Sequence, residues 1–104
     1  MNLSLTGRHL EITPHLKAHV EEKSKKLERH NDQITGGEIV LFKDSINHVA
    51  EGKIHLGHTV ITAKGLGHDM YIAVNDLTDK LAAQLERYEG KLRDRKRGTH
   101  PVAE

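Results

Sequence analysis

The chain has 104 residues, 36% of them hydrophobic and 30% charged, which suits one globular domain with its own core. Cysteine is absent, which excludes disulfides and thiolate metal sites, and no stretch approaches the roughly 18–20 apolar residues of a membrane span. The net charge of +1 with histidine neutral does not by itself announce a nucleic-acid binder, so the distribution of charge matters more than its sum.

In chain order, "NLSLTG" alternates Leu3 and Leu5 with Ser4 and Thr6 and reads as a half-buried strand ending at Gly7. Thr13 is a suitable N-cap and Pro14 a suitable first helical residue, so a helix is expected from Pro14 to His30. "NDQITGG" breaks it with turn residues, and "EIVLFK" at 38–43 is a continuous apolar run typical of a buried strand. "VAEGKIHL" and "TVITAK" should pair as an antiparallel hairpin around Gly57 and His58. "GLGH" reads as a loop, and Asp69 as the cap of the last helix. In that helix Met70, Ala73, Val74, Leu77, Leu81, Leu85, Tyr88 and Leu92 keep steps of three or four, and Gly90 weakens it near its end. The order strand, helix, three strands, helix predicts an α+β domain with both helices on one sheet face. The domain should span residues 1–97, with residues 98–104 as a flexible tail.

Charge is sorted along the chain. From Lys80 to Arg97 seven basic residues stand against three acidic ones. At 100° per residue, one flank of the first helix carries His15, His19, Lys25, Lys26 and Arg29, with Glu22 among them. The opposite flank carries Lys17, Glu21 and Glu28, and in the last helix Lys80, Gln84, Arg87 and Lys91 form one stripe. With both helices on one face, the basic stripes should merge into a single positive surface suited to a polyanion such as a phosphate backbone. With Phe42, Tyr71 and Tyr88 as the only aromatics, base stacking is not expected to dominate the contact.

No catalytic or cofactor motif stands out. There is no GxGxxG, no P-loop and no GxSxG. His15 and His19 are four apart, but Leu16 stands where a metalloprotease helix needs glutamate, so no metal site is expected. Asp76 and Asp79 have no organisation as an acid and base pair. No cofactor, no small-molecule substrate and no membrane partner is expected. "MNLSLTGRHLEI" lacks the order of a signal peptide, which makes the cytoplasm the expected address.

"DMYIAVNDLTDKLAAQLERYEGKL" resembles the last-helix signature of the ribosome hibernation-promoting factors and their relative, ribosome-associated inhibitor A. The pattern is met by Asp69, Met70, Tyr71, Ala73, Val74, Leu77, Asp79, Lys80, Leu81, Gln84 and Leu85. "LTGRHLEITPHLKAHVEEKSKKLERH" is similar to the family's first strand and helix, including Glu11-Ile12-Thr13 and Lys26-Leu27-Glu28, so the likeness covers about residues 1–92. The resemblance implies a β-α-β-β-β-α fold, similar in outline to double-stranded-RNA-binding domains. It implies a translation inhibitor, active in stress or stationary phase, that binds small-subunit ribosomal RNA in the messenger and transfer-RNA channel and catalyses no reaction. It also implies contacts to RNA phosphates from Lys25, Lys26, Lys80, Arg87 and Lys91, with Lys23 and Arg29 as neighbours. Ala83 and Glu89 stand where the family often has arginine and lysine, and Arg93, Arg95, Lys96 and Arg97 offset that loss of charge. The chain resembles the short form. Its tail "RDRKRGTHPVAE" is intermediate between forms that pair ribosomes with a separate ribosome modulation factor and forms that block pairing. Two other classes of function fit the same residues: a general double-stranded-RNA binder, and a protein-interaction modulator of transcription.

Overall fold

The structure, a computed structural model, describes the backbone of residues 2–97 and the side chains of residues 2–88. Its elements are β1 (Asn2–Gly7), α1 (Pro14–His30), β2 (Ile34–Asp44), β3 (Asn47–Leu56), β4 (Thr59–Gly67) and α2 (Met70–Arg97). This is the β-α-β-β-β-α order that the sequence predicts. The strands form one mixed sheet in the order β1-β2-β3-β4. β1 runs parallel to β2, which requires a crossover, and α1 supplies it; the two later pairings are antiparallel hairpins.

Local chemistry fixes the element ends. The Thr13 hydroxyl accepts from Leu16 N–H at 3.2 Å, and Pro14 occupies the first turn. The Asp69 carboxylate does the same for α2, accepting from Ile72 N–H at 2.9 Å. Gly57, with φ +57°, opens the β3–β4 turn in the left-handed conformation that glycine adopts without strain.

Two strands run longer than their sequences suggest. Gly36 and Gly37 belong to β2, after an irregularity in its pairing with β3, and Gly65 to Gly67 belong to β4. In β4 the expectation of a loop fails because glycine is used there for close packing. A Cβ at Gly65 would stand 2.2 Å from Ala73 O and 2.4 Å from Leu77 N, and one at Gly67 would stand 2.8 Å from Ala73 N. Ala50, Gly52, Ala63, Gly65 and Gly67 share the sheet face under α2, so that helix rests directly on strand backbone. Under α1 the floor is built of larger residues, Leu3, Leu5, Ile39 and Leu41, which meet Leu16, Val20 and Leu27. Leu77, Leu81 and Leu85 close the core and are fully buried.

The opposite sheet face carries no helix. Glu51 there lies 3.6 Å from Arg8 and 3.7 Å from Lys64, His55 Nε2 lies 3.1 Å from Glu38 Oε2, and Lys53 has no ion pair among the described residues. Arg8 also stacks over the Phe42 ring at 4.2 Å. Among the described residues no helix is long and apolar enough to cross a membrane. The expected tail, residues 98–104, lies outside the described residues.

Candidate nucleic-acid interface

α1 presents two different flanks. Toward α2, His19 Nε2 donates to Asn75 Oδ1 at 2.9 Å, and its ring meets Tyr71 edge-on with centroids 5.1 Å apart. This polar and aromatic link fixes the spacing of the helices at one end. Beyond it, Lys23, Lys26 and His30 of α1 face Thr78, Asp79 and Ala82 of α2 across a groove of about 210 Å³. The Thr78 hydroxyl turns back onto Val74 O and Asn75 O, both at 3.1 Å, and so leaves Lys23, Lys26, His30 and Asp79 to define the groove's chemistry.

The far flank of α1 faces the β1 edge. There Lys17, Glu21, Ser24, Lys25 and Glu28 border a cavity of about 600 Å³ with Leu3 and Leu5. Lys25 was expected beside Lys26 and His19, and the structure sets it instead among the mixed charges of this flank. The reason is angular: Lys25 is 100° from Lys26 on an α-helix, enough to carry it over the solvent-facing ridge. Arg29 is exposed.

α2 carries its basic stripe on the side away from α1. Lys80 Nζ donates to Lys64 O at 3.0 Å and lies 3.0 Å from Asp76 Oδ2, while Gln84 Nε2 donates to Thr62 O at 2.6 Å. Asp76 Oδ2 in turn accepts from Leu66 N–H at 3.0 Å. The match is geometric: four helical residues rise about 6.0 Å and two strand residues about 6.7 Å, so positions 76, 80 and 84 meet every second residue of β4. These side chains occupy polar groups that an edge strand would otherwise present to another strand. Leu66 N–H first, and Lys80 second, hold the Asp76 carboxyl below the ordinary carboxylate range. Arg87 follows one turn later and is exposed. The side chains of Lys91, Arg93, Arg95, Lys96 and Arg97 lie outside the described residues.

The single positive surface expected from the sequence is therefore two separate strips. One lines the interhelical groove, the other follows the β4 edge, and α2, about 10 Å across, lies between them. Asp79, on the groove side, interrupts any merger. Sequence reasoning also missed the edge capping and the His19–Asn75–Tyr71 link. Extending the stripe one turn back from Lys80 to Asp76 would have exposed a cation paired along its own helix. Among the described residues, no group of three or more His, Asp or Glu is placed to hold a metal ion.

In net effect, Lys23, Lys26, Arg29 and Arg87 have no carboxylate within ion-pair distance among the described residues, whereas the cations Arg8 and Lys64 of the bare sheet face do. Among the described residues Lys53 of the bare face is also without an ion pair and Lys80 of α2 is paired, so the excess of unpaired cations on the helical layer is a matter of number, and it gives the domain a directional field.

Comparison with known proteins places the sequence and the fold. The sequence profile of the family described as "Sigma 54 modulation protein / S30EA ribosomal protein" matches residues 3–93. The chain is 39% identical over 93 residues to the ribosome hibernation promoting factor of Klebsiella oxytoca, covering 89% of this chain and 98% of that one. It is 33% identical over 102 residues to the ribosome hibernation promoting factor of Azotobacter vinelandii, covering 98% and 95% respectively. The fold superposes on a ribosomal subunit interface protein from Coxiella burnetii with a TM-score of 0.79 at 28% identity, covering 86% of this chain and 99% of that one.

Proposed function

Because the chain belongs to the Sigma 54 modulation protein / S30EA ribosomal protein family, we propose that it is a ribosome hibernation factor that silences translation by occupying small-subunit ribosomal RNA. In this reading the domain sits in the channel that messenger and transfer RNAs would use, acts in the cytoplasm with ribosomes, and works by occupancy without catalysing a reaction. The observation that supports it is the sorting of charge: among the described residues Lys23, Lys26, Arg29 and Arg87 of the helical layer have no ion pair, whereas on the bare sheet face Arg8 and Lys64 are paired with Glu51 and Lys53 alone of its lysines and arginines is not. Phosphate contacts dominate such binding and need no base-specific geometry. Lys23 and Lys26 in the interhelical groove are assigned the main phosphate contacts. Arg87, Arg29 and the basic residues Lys91, Arg93, Arg95, Lys96 and Arg97 supply further charge. Lys80 contributes what remains after its contacts to Lys64 O and Asp76, and Lys25 contributes from the far flank.

The test is co-sedimentation with purified ribosomes and isolated small subunits across a salt series, beside a K23A/K26A/R87A variant. Wild-type protein should travel with the small subunit, with log affinity falling linearly in log salt. The triple variant should flatten that slope by about 2–3, at about 0.7–0.9 per phosphate. Absence of binding at the lowest salt would overturn the reading. Equal competition by free RNA duplex would replace it with general double-stranded-RNA binding.

A further inference from the structure

The two edges of the sheet are treated differently. On β4, the outward groups Thr62 O, Lys64 O and Leu66 N–H are taken up by Gln84, Lys80 and Asp76 of α2. On β1, the hydrogen bond from Arg8 N–H to Leu41 O sets the parity of the parallel pairing. By alternation, Ser4 and Thr6 turn their backbone groups to β2, and Leu3 and Leu5 turn theirs outward. Among the described residues no side chain caps those outward groups. Nor does "NLSLTG" contain a charge, a proline or a bulge, the usual means of blunting an edge.

What borders that edge narrows the choice of occupant. Leu3 and Leu5, both half-buried, face a stripe on α1 that reads Lys17, Glu21, Lys25, Glu28. The signs alternate, plus, minus, plus, minus, so the stripe is complementary to itself when reversed. The strand residues in the cavity wall centre on Ser4, and the helix residues centre between Glu21 and Lys25. One two-fold axis near Ser4 therefore reverses both together. Ser24 Oγ, buried and without a hydrogen-bond partner among the described residues, opens on the same cavity.

We propose that this edge is a self-recognition surface, at which two copies of the chain join through β1 in antiparallel register to make one continuous eight-stranded sheet. Leu3 of each copy lies opposite Leu5 of the other, exchanging both backbone hydrogen bonds, and Ser4 meets Ser4 across the axis. Above the sheet the two α1 helices run antiparallel, Lys17 beside Glu28 of the second copy and Glu21 beside Lys25 of the second copy. The interface is isologous, so it closes at two copies and does not propagate. It is small and polar, which makes the dimer a concentration-dependent one.

Sedimentation equilibrium of the full chain from about 10 μM to about 1 mM tests this at low salt. Wild type should pass from monomer to dimer across that range, and added salt should shift the transition to higher concentration. K17E and E28K should each weaken association by about tenfold or more, and the double variant K17E/E28K should restore it. Positions 17 and 28 lie about 16 Å apart along one helix, so restoration reports contact between copies. L3P, which removes an outward N–H and leaves the β1–β2 hydrogen bonds in place, should hold the chain monomeric while its circular dichroism stays native. A wild-type monomer at every concentration would overturn the proposal, and so would a dimer indifferent to L3P and to the charge reversals.

Discussion

Replacing Gly65 with alanine tests whether the glycines of the sheet set the position of α2. The backbone conformation at Gly65 is open to any residue, since among the described glycines only Gly57 has positive φ. The obstacle is space: the new Cβ would stand 2.2 Å from Ala73 O and 2.4 Å from Leu77 N, against an ordinary contact of 3.4 Å or more. The helix backbone must retreat by about 1 Å to relieve this. Overpacking into adaptable side chains costs about 1–3 kcal/mol, and both neighbours here are backbone, so about 3 kcal/mol is expected. Gly52 provides the control. A Cβ there would meet only Leu77 and Leu81 methyl groups at 3.1–3.3 Å, which rotate aside. The lower entropy of the unfolded alanine chain offsets part of that, leaving G52A within about 1 kcal/mol of wild type. In urea unfolding, G65A should therefore lose about 1–2 M in midpoint while G52A moves little, with unchanged slopes. Equal midpoints for the two variants would refute the claim that α2 is seated on the backbone of β4.

Three further outcomes follow from the polar contacts. D76N should be less stable than wild type at pH 7. Because the folded carboxyl titrates below its unfolded value of about 4, its stabilisation is present above that pH and is lost as pH falls through the folded value. The wild-type and D76N urea midpoints should accordingly converge below about pH 4. Q84L, which strips the donor from Thr62 O, should cost about 1 kcal/mol and raise light scattering on mild heating, as the β4 edge opens to other strands. S24A should stabilise by up to about 1 kcal/mol in thermal unfolding, since it removes an unpartnered buried hydroxyl and places a better helix former in α1.

Where the sequence could be read and where it could not follows one physical division. Elements governed by local periodicity and capping were legible: Thr13-Pro14 and Asp69 start their helices, and the 3.6-residue pattern of α2 names its buried side chains. Glycine misled because its two uses leave the same trace. Gly57 serves a turn, whereas Gly65 and Gly67 serve the approach of a helix, and only the position of that helix separates the two. The charged stripes misled for a related reason. Angular position on a helix says which residues share a flank, but not which neighbour the flank meets. Lys26 and Lys80 were both read as facing one partner, yet Lys26 of α1 borders the groove with α2 and Lys80 the edge of β4.

That difference weighs the two strips unequally. Lys80 has three N–H donors, and two of them are directed at Lys64 O and Asp76 Oδ2. A phosphate meeting Lys80 therefore finds one donor, beside a carboxylate that already balances the charge. Lys23 and Lys26 have no ion pair among the described residues, and they share their groove with His30 and with the Asp79 carboxylate. Charge count alone ranks the long stripe of α2 above the shorter one of α1. Once the β4 edge has taken its share of Lys80, charge count alone no longer ranks the α2 stripe first, and Asp79 sets the corresponding discount on the interhelical groove.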